Sequence, residues 1–531
     1  MNLKKYKNKL IMFAFILISV MLLAACDDKT SESRSTDTGT DSDEKYPFSI
    51  SLRTLGLPYV ENHSDINEDE YVKQLEEYTN TDLDIRLMPH DDFQVKLDLM
   101  FASGDIPDVV SSQGSFKSTS SNGQSLKQAV EAEVFLPLDD LIDEYGPNLK
   151  ESIPAEVWDD VRGEDGKIYA IPQILSNPAR RATVIRKDLL DQTGLDVPTT
   201  VEETLDVLRA FKELGVPQPY VARSNFSYSD TFFAAYDVQP MWELDESGNP
   251  VPKFYDTENM EKAIQTYRTM YEEGLIHPEF LTQDVNKYKN LIESGDVGMW
   301  AMNANALVGW DKNLKQNVPD AETLVIPSPI GPDGKGGYQL YSPVQRSYLI
   351  NQETESPEKI IQFFDWMVSE EAETFFTYGV EGEDYTIENG EINYIQPEST
   401  DEVNREVFRA TFLWLIADAV YTEGLLEMTP EGQDLINVFD EILSKEGRSG
   451  IEYNPPLDTF ATFPALQFKP DSYPTILLEH IAKMVTGAEP VENWEGMLEE
   501  WESQGGNKIL EEAKERYDSG TFDEPITPPG L

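Results

Sequence analysis

"DLDIRLMPHDDFQVKLDLMFASGDIPDVV", residues 82–110, changes period midway, and that change decides the fold class. Leu83, Ile85 and Leu87 alternate with polar residues, which is the period of a half-buried strand. Phe93, Leu97, Met100 and Phe101 then recur at helical spacing, and Gly104 can cap the end of that helix in a left-handed conformation. "PDVV" restarts an extended segment. Upstream, "PFSISLRTLG" (47–56) reads as a strand, and Tyr71, Leu75 and Tyr78 mark one helical face of 68–80. Strand, helix, strand, helix, strand predicts an α/β lobe with a mainly parallel sheet. Ligands of such sheets bind at loops beyond the carboxyl ends of the strands.

The same signals continue downstream. Thr200-Val-Glu-Glu203 is a capping box ahead of the stripe Leu205, Leu208, Phe211, with Gly215 as the stop. Met260, Ile264, Tyr267 and Tyr271 form another stripe, closed by Gly274. Ser356-Pro357 reads as N-cap and first helical residue before Ile360, Phe364 and Met367. These stripes, and Trp366 beside the last, are assigned to core. Trp494 and Trp501 read as packing residues, and Trp414 as either core or a ligand platform.

A chain of 531 residues exceeds one ordinary core, so two lobes or a large insertion are expected. Net charge is −56, from 42 basic and 98 acidic residues. A field of that sign disfavours nucleic acid and anionic lipid surfaces as partners. A single cysteine excludes an internal disulfide and a thiolate metal cluster. The four histidines are scattered without metal-ligand spacing. There is no Gly-x-Ser-x-Gly elbow, and "GPDGKGG" (331–337) lacks P-loop spacing and reads as a hairpin turn. "DESGNP" (245–250) has oxygens at alternate positions, but proline replaces the glycine of a calcium loop and no glutamate closes it.

The first residues read as an export signal: Lys4, Lys5, Lys7 and Lys9, then the apolar run Leu10–Leu23, then Ala24 and Ala25. Leu23-Ala24-Ala25-Cys26 resembles the bacterial lipobox. That resemblance implies cleavage before Cys26 and a diacylglycerol thioether on its sulfur. Residues 27–45 hold no apolar side chain and are expected to form a flexible tether spanning roughly 25 Å.

Several motifs then occur in order: "KLDLMFASGDIPDVV" (96–110), "DGKIYAIP" (165–172), "VIRKDLLDQTGLDVPTTVEETLDVLRAFKE" (184–213), "GLIHPEF" (274–280), "IESGDVGMW" (292–300) and "SPEKIIQFFDWMVSEEAETFFTYGVEGEDYT" (356–386). Together they resemble family 1 extracellular solute-binding proteins, in particular the long, LipO-like lipoprotein branch of Gram-positive bacteria. The resemblance implies an α/β, two-lobed periplasmic-binding-protein-like fold with discontinuous lobes joined by crossing strands. By analogy with maltose-binding protein, crossings fall near Ala170–Gln173, Tyr341–Arg346 and Gln396–Asn404. The expected division is a signal peptide (1–25), a disordered tether (26–45), a first lobe (46–171 plus 344–400) and a second lobe (172–343 plus 401–531).

The resemblance also implies an interlobe cleft for an oligosaccharide. Sugars need flat aromatic platforms and planar polar groups. Four loops offer them: Gln113 in 109–116; Gln173 and Asn177 in 170–177; Tyr220, Asn225 and Tyr228 in 217–233, with Trp242 beyond; and Trp300, Asn303, Asn305 and Trp310 in 295–310; Arg346, just past the return crossing, adds a fifth position. For each aromatic, core packing and ligand stacking both stay open. The Asn-Gly-Pro-Trp string that lines the cleft of maltose-binding protein is absent at 295–310.

The expected function is a lipid-anchored receptor on the extracellular face of the cytoplasmic membrane. It delivers an oligosaccharide, or another small solute, to the permease subunits of an ABC importer. A monomer without catalytic residues is expected, touching the membrane only through Cys26. No cofactor is expected; calcium at 245–250 is a minor alternative, because some relatives that bind acidic sugars hold one. The alternative function is an extracellular glycoside hydrolase or lyase working with a carboxylate pair.

Overall fold

Alternation does set the strands. In Thr81–Met88, Leu83 and Ile85 are buried while Asp82, Asp84 and Arg86 face solvent. The computed structural model describes residues 45–520 except 91, 117–122, 419–421, 449, 452–456 and 469–471. The export signal, Cys26, all of the expected tether but Lys45, and the tail from 521 lie outside the described residues.

In chain order the strands are β1 (Tyr46–Arg53), β2 (Thr81–Met88), β3 (Val109–Ser111), β4 (Ile171–Ile174), β5 (Arg181–Arg186), β6 (Gln218–Tyr220) and β7 (Trp242–Leu244). They continue with β8 (Pro250–Pro252), β9 (Val297–Asn303), β10 (Thr323–Ile326), β11 (Val344–Ile350), β12 (Tyr385–Glu388) and β13 (Glu391–Tyr394). Two sheets carry the architecture, in the orders β2-β1-β3-β11-β4 and β10-β5-β9-β6. In the first, β1 pairs parallel with β2 and β3, and β11 runs antiparallel between β3 and β4. In the second, β9 pairs parallel with β6 and antiparallel with β5.

Each sheet has its own core. The first gathers Phe48, Ile50, Val109, Val110, Leu349 and Ile350 with the helices Phe93–Ser103, Pro357–Trp366 and Glu370–Tyr378. The second is covered on both faces. Ile185, Tyr220 and Met299 face one core, while Ala182, Val184 and Trp300 face the other. Covering both faces is why β5 is buried at every position. Gly298 admits the helix Val201–Glu213 close to β9, since a Cβ there would run into Phe211 and the Pro219 carbonyl. The capping box at Thr200 and Glu203 is formed.

Three segments join the sheets. Residues 175–180 lead from β4 into β5, residues 327–343 return to β11, and a third passage follows Ile416. Backbone bonds tie them together: Ile174 N–H to the Ile416 carbonyl (2.8 Å), Leu175 N–H to that of Pro343 (2.8 Å), and Tyr341 N–H to that of Pro178 (3.0 Å). The third passage lies later than 396–404. Ser399 caps the helix Thr400–Val407, and Phe408, Phe412, Leu413, Leu415 and Ile416 fill the first core, which holds the chain there to Ile416. Residues 435–443 and 457–513 complete the two cores of the second sheet. No helix among the described residues is long and apolar enough to cross a membrane.

Candidate functional site

The junction between the sheets concentrates polar side chains. The register of β5 on β9 sets Arg181 opposite Asn303. Arg181 donates to the Tyr341 hydroxyl (3.0 Å), which donates to Asn303 Oδ1 (3.0 Å), and its other terminal nitrogen lies 3.4 Å from Asp230 Oδ1. The guanidinium also lies over the Tyr228 ring, 3.9 Å from its centroid. Burial works against the Arg181 charge, but Asp230 more than restores it, so its pKa stands above the usual value. Burial likewise raises the Tyr228 hydroxyl and keeps it protonated, against the pull of Arg181. Among the described residues, buried Arg181 Nε and half-buried Asn305 Oδ1 have no hydrogen-bond partner. Groups of that kind are ready to meet a ligand.

The loop after β6 presents Tyr228 by way of an unusual backbone. Asn225, Phe226 and Tyr228 all adopt positive φ, at 57°, 56° and 56°. Left-handed non-glycine residues are costly and persist where the surroundings over-determine them. Here Phe226 is the anchor, buried against Phe233, Tyr267 and Phe280. Ser229 Oγ accepts from the Arg223 N–H (2.8 Å), and the Tyr267 hydroxyl donates to the Ser229 carbonyl.

Of the residues proposed from sequence, the fold brings Tyr228 and Asn303 together around Arg181. Asn305 follows Asn303, and Trp310 is half-buried with its ring 6.4 Å from that of Tyr288. Arg346 lies opposite Gln173 in the pairing of β11 with β4. Gln173 is buried and structural on one side. Its amide nitrogen donates to the Trp414 and Ala417 carbonyls (3.3 and 3.0 Å), while its oxygen has no partner. The Asn177 carbonyl accepts from Arg180 Nε (2.9 Å). The Gln113 amide, turned so that its oxygen faces Arg53, accepts from that guanidinium. Asn225 is exposed.

Tyr220, Trp242 and Trp300 leave no face for a ligand. Tyr220 is fully buried with its hydroxyl 3.0 Å from that of Thr231. Trp242 packs on Phe468, and Trp300 is buried with Nε1 toward Met302 Sδ. The strands of Tyr220 and Trp300 are covered on both faces, and Trp242 is buried against Phe468, so all three serve the core. Trp414 also packs, stacked on Phe376 at 5.3 Å with Nε1 donating to the Met367 carbonyl. Arg181, Asp230 and Tyr341 escape a reading of local motifs. The signal that could have found Arg181 is the pair Arg180-Arg181 opening a strand buried at every position.

Residues 245–249 form the turn between β7 and β8, and Pro250 opens β8. Asp245 accepts from the N–H groups of Ser247 (2.9 Å) and Asn249 (2.8 Å), and these bonds hold its carboxyl below the usual range. Its oxygens thus serve the turn. Among the described residues, no group of three or more His, Cys, Asp or Glu side chains is placed to hold a metal.

Comparison with known proteins follows the same lines. The family profile described as "Bacterial extracellular solute-binding protein" matches residues 65–374. The polygalacturonan/rhamnogalacturonan-binding protein YtcQ of Bacillus subtilis is 23% identical over 96% of this chain and 99% of its own. Among solved structures, calcium-free alginate-binding protein AlgQ2 superposes with a TM-score of 0.66 at 21% identity, covering 90% of this chain and 99% of its own. FusA of Streptococcus pneumoniae in complex with kestose gives 0.64 at 19% identity, with the same coverage. These superpositions establish the α/β periplasmic-binding-protein-like fold.

Proposed function

Since the chain belongs to the bacterial extracellular solute-binding protein family, we propose that it is a lipid-anchored receptor that captures an oligosaccharide between its two sheets and passes it to an ABC importer. The family is one of receptors, not enzymes. The observation that carries the ligand class is the Arg181–Tyr341–Asn303 chain beside the Tyr228 ring, a set of planar polar groups next to an aromatic face. YtcQ is named for two pectic polymers, AlgQ2 for alginate, and FusA is seen with kestose. These names support a saccharide here.

Tyr228, Asn303, Asn305, Trp310, Arg346, Gln113 and Asn177 are the ligand contacts we assign from the sequence, joined by Arg181 and Tyr341. Closure on the ligand is a population shift between open and closed arrangements of the two sheets. Its hinge is the set of three tied segments around Ile174, Tyr341 and Ile416. The anchor rests on Leu23–Cys26 and on the polar stretch behind it.

Titration of the purified protein with a panel of oligosaccharides tests this reading, following tryptophan fluorescence and reducing ends together. A saturable fluorescence change without new reducing ends is expected. New reducing ends, or no response to any saccharide, would overturn it.

A further inference from the structure

The charge of this chain is unevenly answered. Acidic residues outnumber basic ones by 98 to 42, and most arginines of the fold find carboxylates: Arg86, Arg162, Arg186, Arg209, Arg268 and Arg405 each form an ion pair, while Arg448 gives its guanidinium to the Gly447 carbonyl (2.9 Å). At the junction, Arg180 is answered by Asp418 and Arg181 by Asp230. Arg223 and Arg346 are not. Neither has a carboxylate within ion-pair distance among the described residues, although both are half-buried. Arg223 lies over the same Tyr228 ring as Arg181, at 5.4 Å, and its Nε is buried with no partner. Arg346, in β11, lies opposite Gln173 of β4, beside the Tyr348 phenol.

A cation drawn half out of water without a counter-charge is costly. It is more so when a second guanidinium shares its aromatic ring, as Arg181 does over Tyr228, and the nearby carboxylate, Asp230, pairs with that other cation. Structural arginines of this chain find a carboxylate, as Arg180 does, or a backbone carbonyl, as Arg448 does; among the described residues the guanidinium groups of Arg223 and Arg346 have neither. One of the two belongs to each sheet's side of the junction: Arg223 follows β6 and Arg346 lies in β11. The loop that carries Arg223 also holds three left-handed non-glycine residues.

We propose that the ligand is an anionic oligosaccharide, whose carboxylates or sulfates supply the counter-charges missing at Arg223 and Arg346. This rests on the receptor reading above and narrows it. The guanidinium fork accepts a carboxylate or sulfate through two parallel hydrogen bonds, which a neutral hydroxyl cannot match. A ligand with more than one acidic group can answer both cations, one from each sheet. The −56 field of the whole chain does not prevent this. At physiological salt, charges farther than about 8 Å are largely screened, and the local cations decide.

Calorimetry on the purified protein tests the proposal. The probes are uronate trimers, the same trimers as methyl esters, a sulfated galactose trimer, and neutral glucose and fructose trimers. At least one uronate or sulfated trimer is expected to bind, and a binding uronate to lose at least about tenfold in affinity on esterification. The uronate and sulfate arms separate the two sources of charge. Arg223→Gln should remove most of that discrimination, Arg223→Lys should keep part of it, and Arg346→Gln gives a second reading if the first variant does not fold. Arg209→Gln, a surface change of the same charge, should leave it intact. Esters or neutral trimers that bind as tightly as the acids would overturn the anionic ligand and leave the receptor standing. Silence from every probe would overturn both.

Discussion

Arg180 donates to Asp418 at 2.5 Å, with side chains only 3% and 2% exposed, and so joins the first passage between the sheets to the third. Ser176 adds a hydroxyl to the same carboxylate (3.0 Å). Asp418→Ala would strand a buried guanidinium and should cost about 3–5 kcal/mol of stability. Urea unfolding reads this directly. The double variant Arg180→Met with Asp418→Leu should recover most of the loss, because it removes both charges. A single-variant cost below about 1 kcal/mol would show that the pair does not hold the junction.

Trp300 and Trp310 lie ten residues apart and should behave oppositely. Trp300→Ala empties a fully buried site and should cost about 3–5 kcal/mol in denaturant melts. Trp310 is half-buried at the edge of the same core, so Trp310→Ala should cost about 1 kcal/mol. It should instead reduce the fluorescence change on ligand addition. An undiminished ligand signal without Trp310 would remove it from the site.

Glu446 supplies a pH dependence. Burial pushes its carboxyl up to about 7, against the pull of hydrogen bonds from Ser328, whose N–H donates at 2.6 Å. Its other oxygen has no hydrogen-bond partner among the described residues. The folded state therefore holds a proton that the unfolded chain releases near pH 4.5. Stability from this group is full below that pH, falls as pH rises to about 7, and is then constant, with a total loss of about 3 kcal/mol. Glu446→Gln should flatten that slope and stabilise the protein at pH 8. Parallel melts of the two proteins from pH 4 to 8 make the comparison.

Cys26→Ser removes the only thiol. The variant should appear in the medium or as an uncleaved precursor, as read by fractionation and intact mass. Normal processing with full membrane retention would refute the anchor.

Features whose partners are close in sequence were legible beforehand. The capping box Thr200–Glu203 and the left-handed stop at Gly104 are local devices, and both are present. The stripe Phe93, Leu97, Met100 is buried as its spacing implies. The site was harder to read because its bonds are long in sequence. Arg181 meets Asp230 across 49 residues and Tyr341 across 160, so no window along the chain contains them together. Tyr228 and Asn303 were legible as loop polar or aromatic residues, but the cation between them was not. The aromatic ambiguity at Tyr220, Trp242 and Trp300 could not be settled locally either. Whether a strand has one covered face or two depends on segments as distant as residues 435–513. The third passage lies later than local sequence implies for the same reason: the core that retains Phe408 and Phe412 is built mostly from residues before 172.

The place of β11 in the first sheet bears on how the chain reaches its folded state. β11 lies between β3 and β4, so until residues 344–350 arrive, β3 and β4 have no strand to bridge them. A chain emerging from its N-terminus would therefore hold unpaired strand edges for some 170 residues of synthesis, the condition under which strands pair wrongly. Such a sheet closes only after the return passage, and this suits a polypeptide that is threaded through a membrane while still unfolded and acquires its structure on the far side.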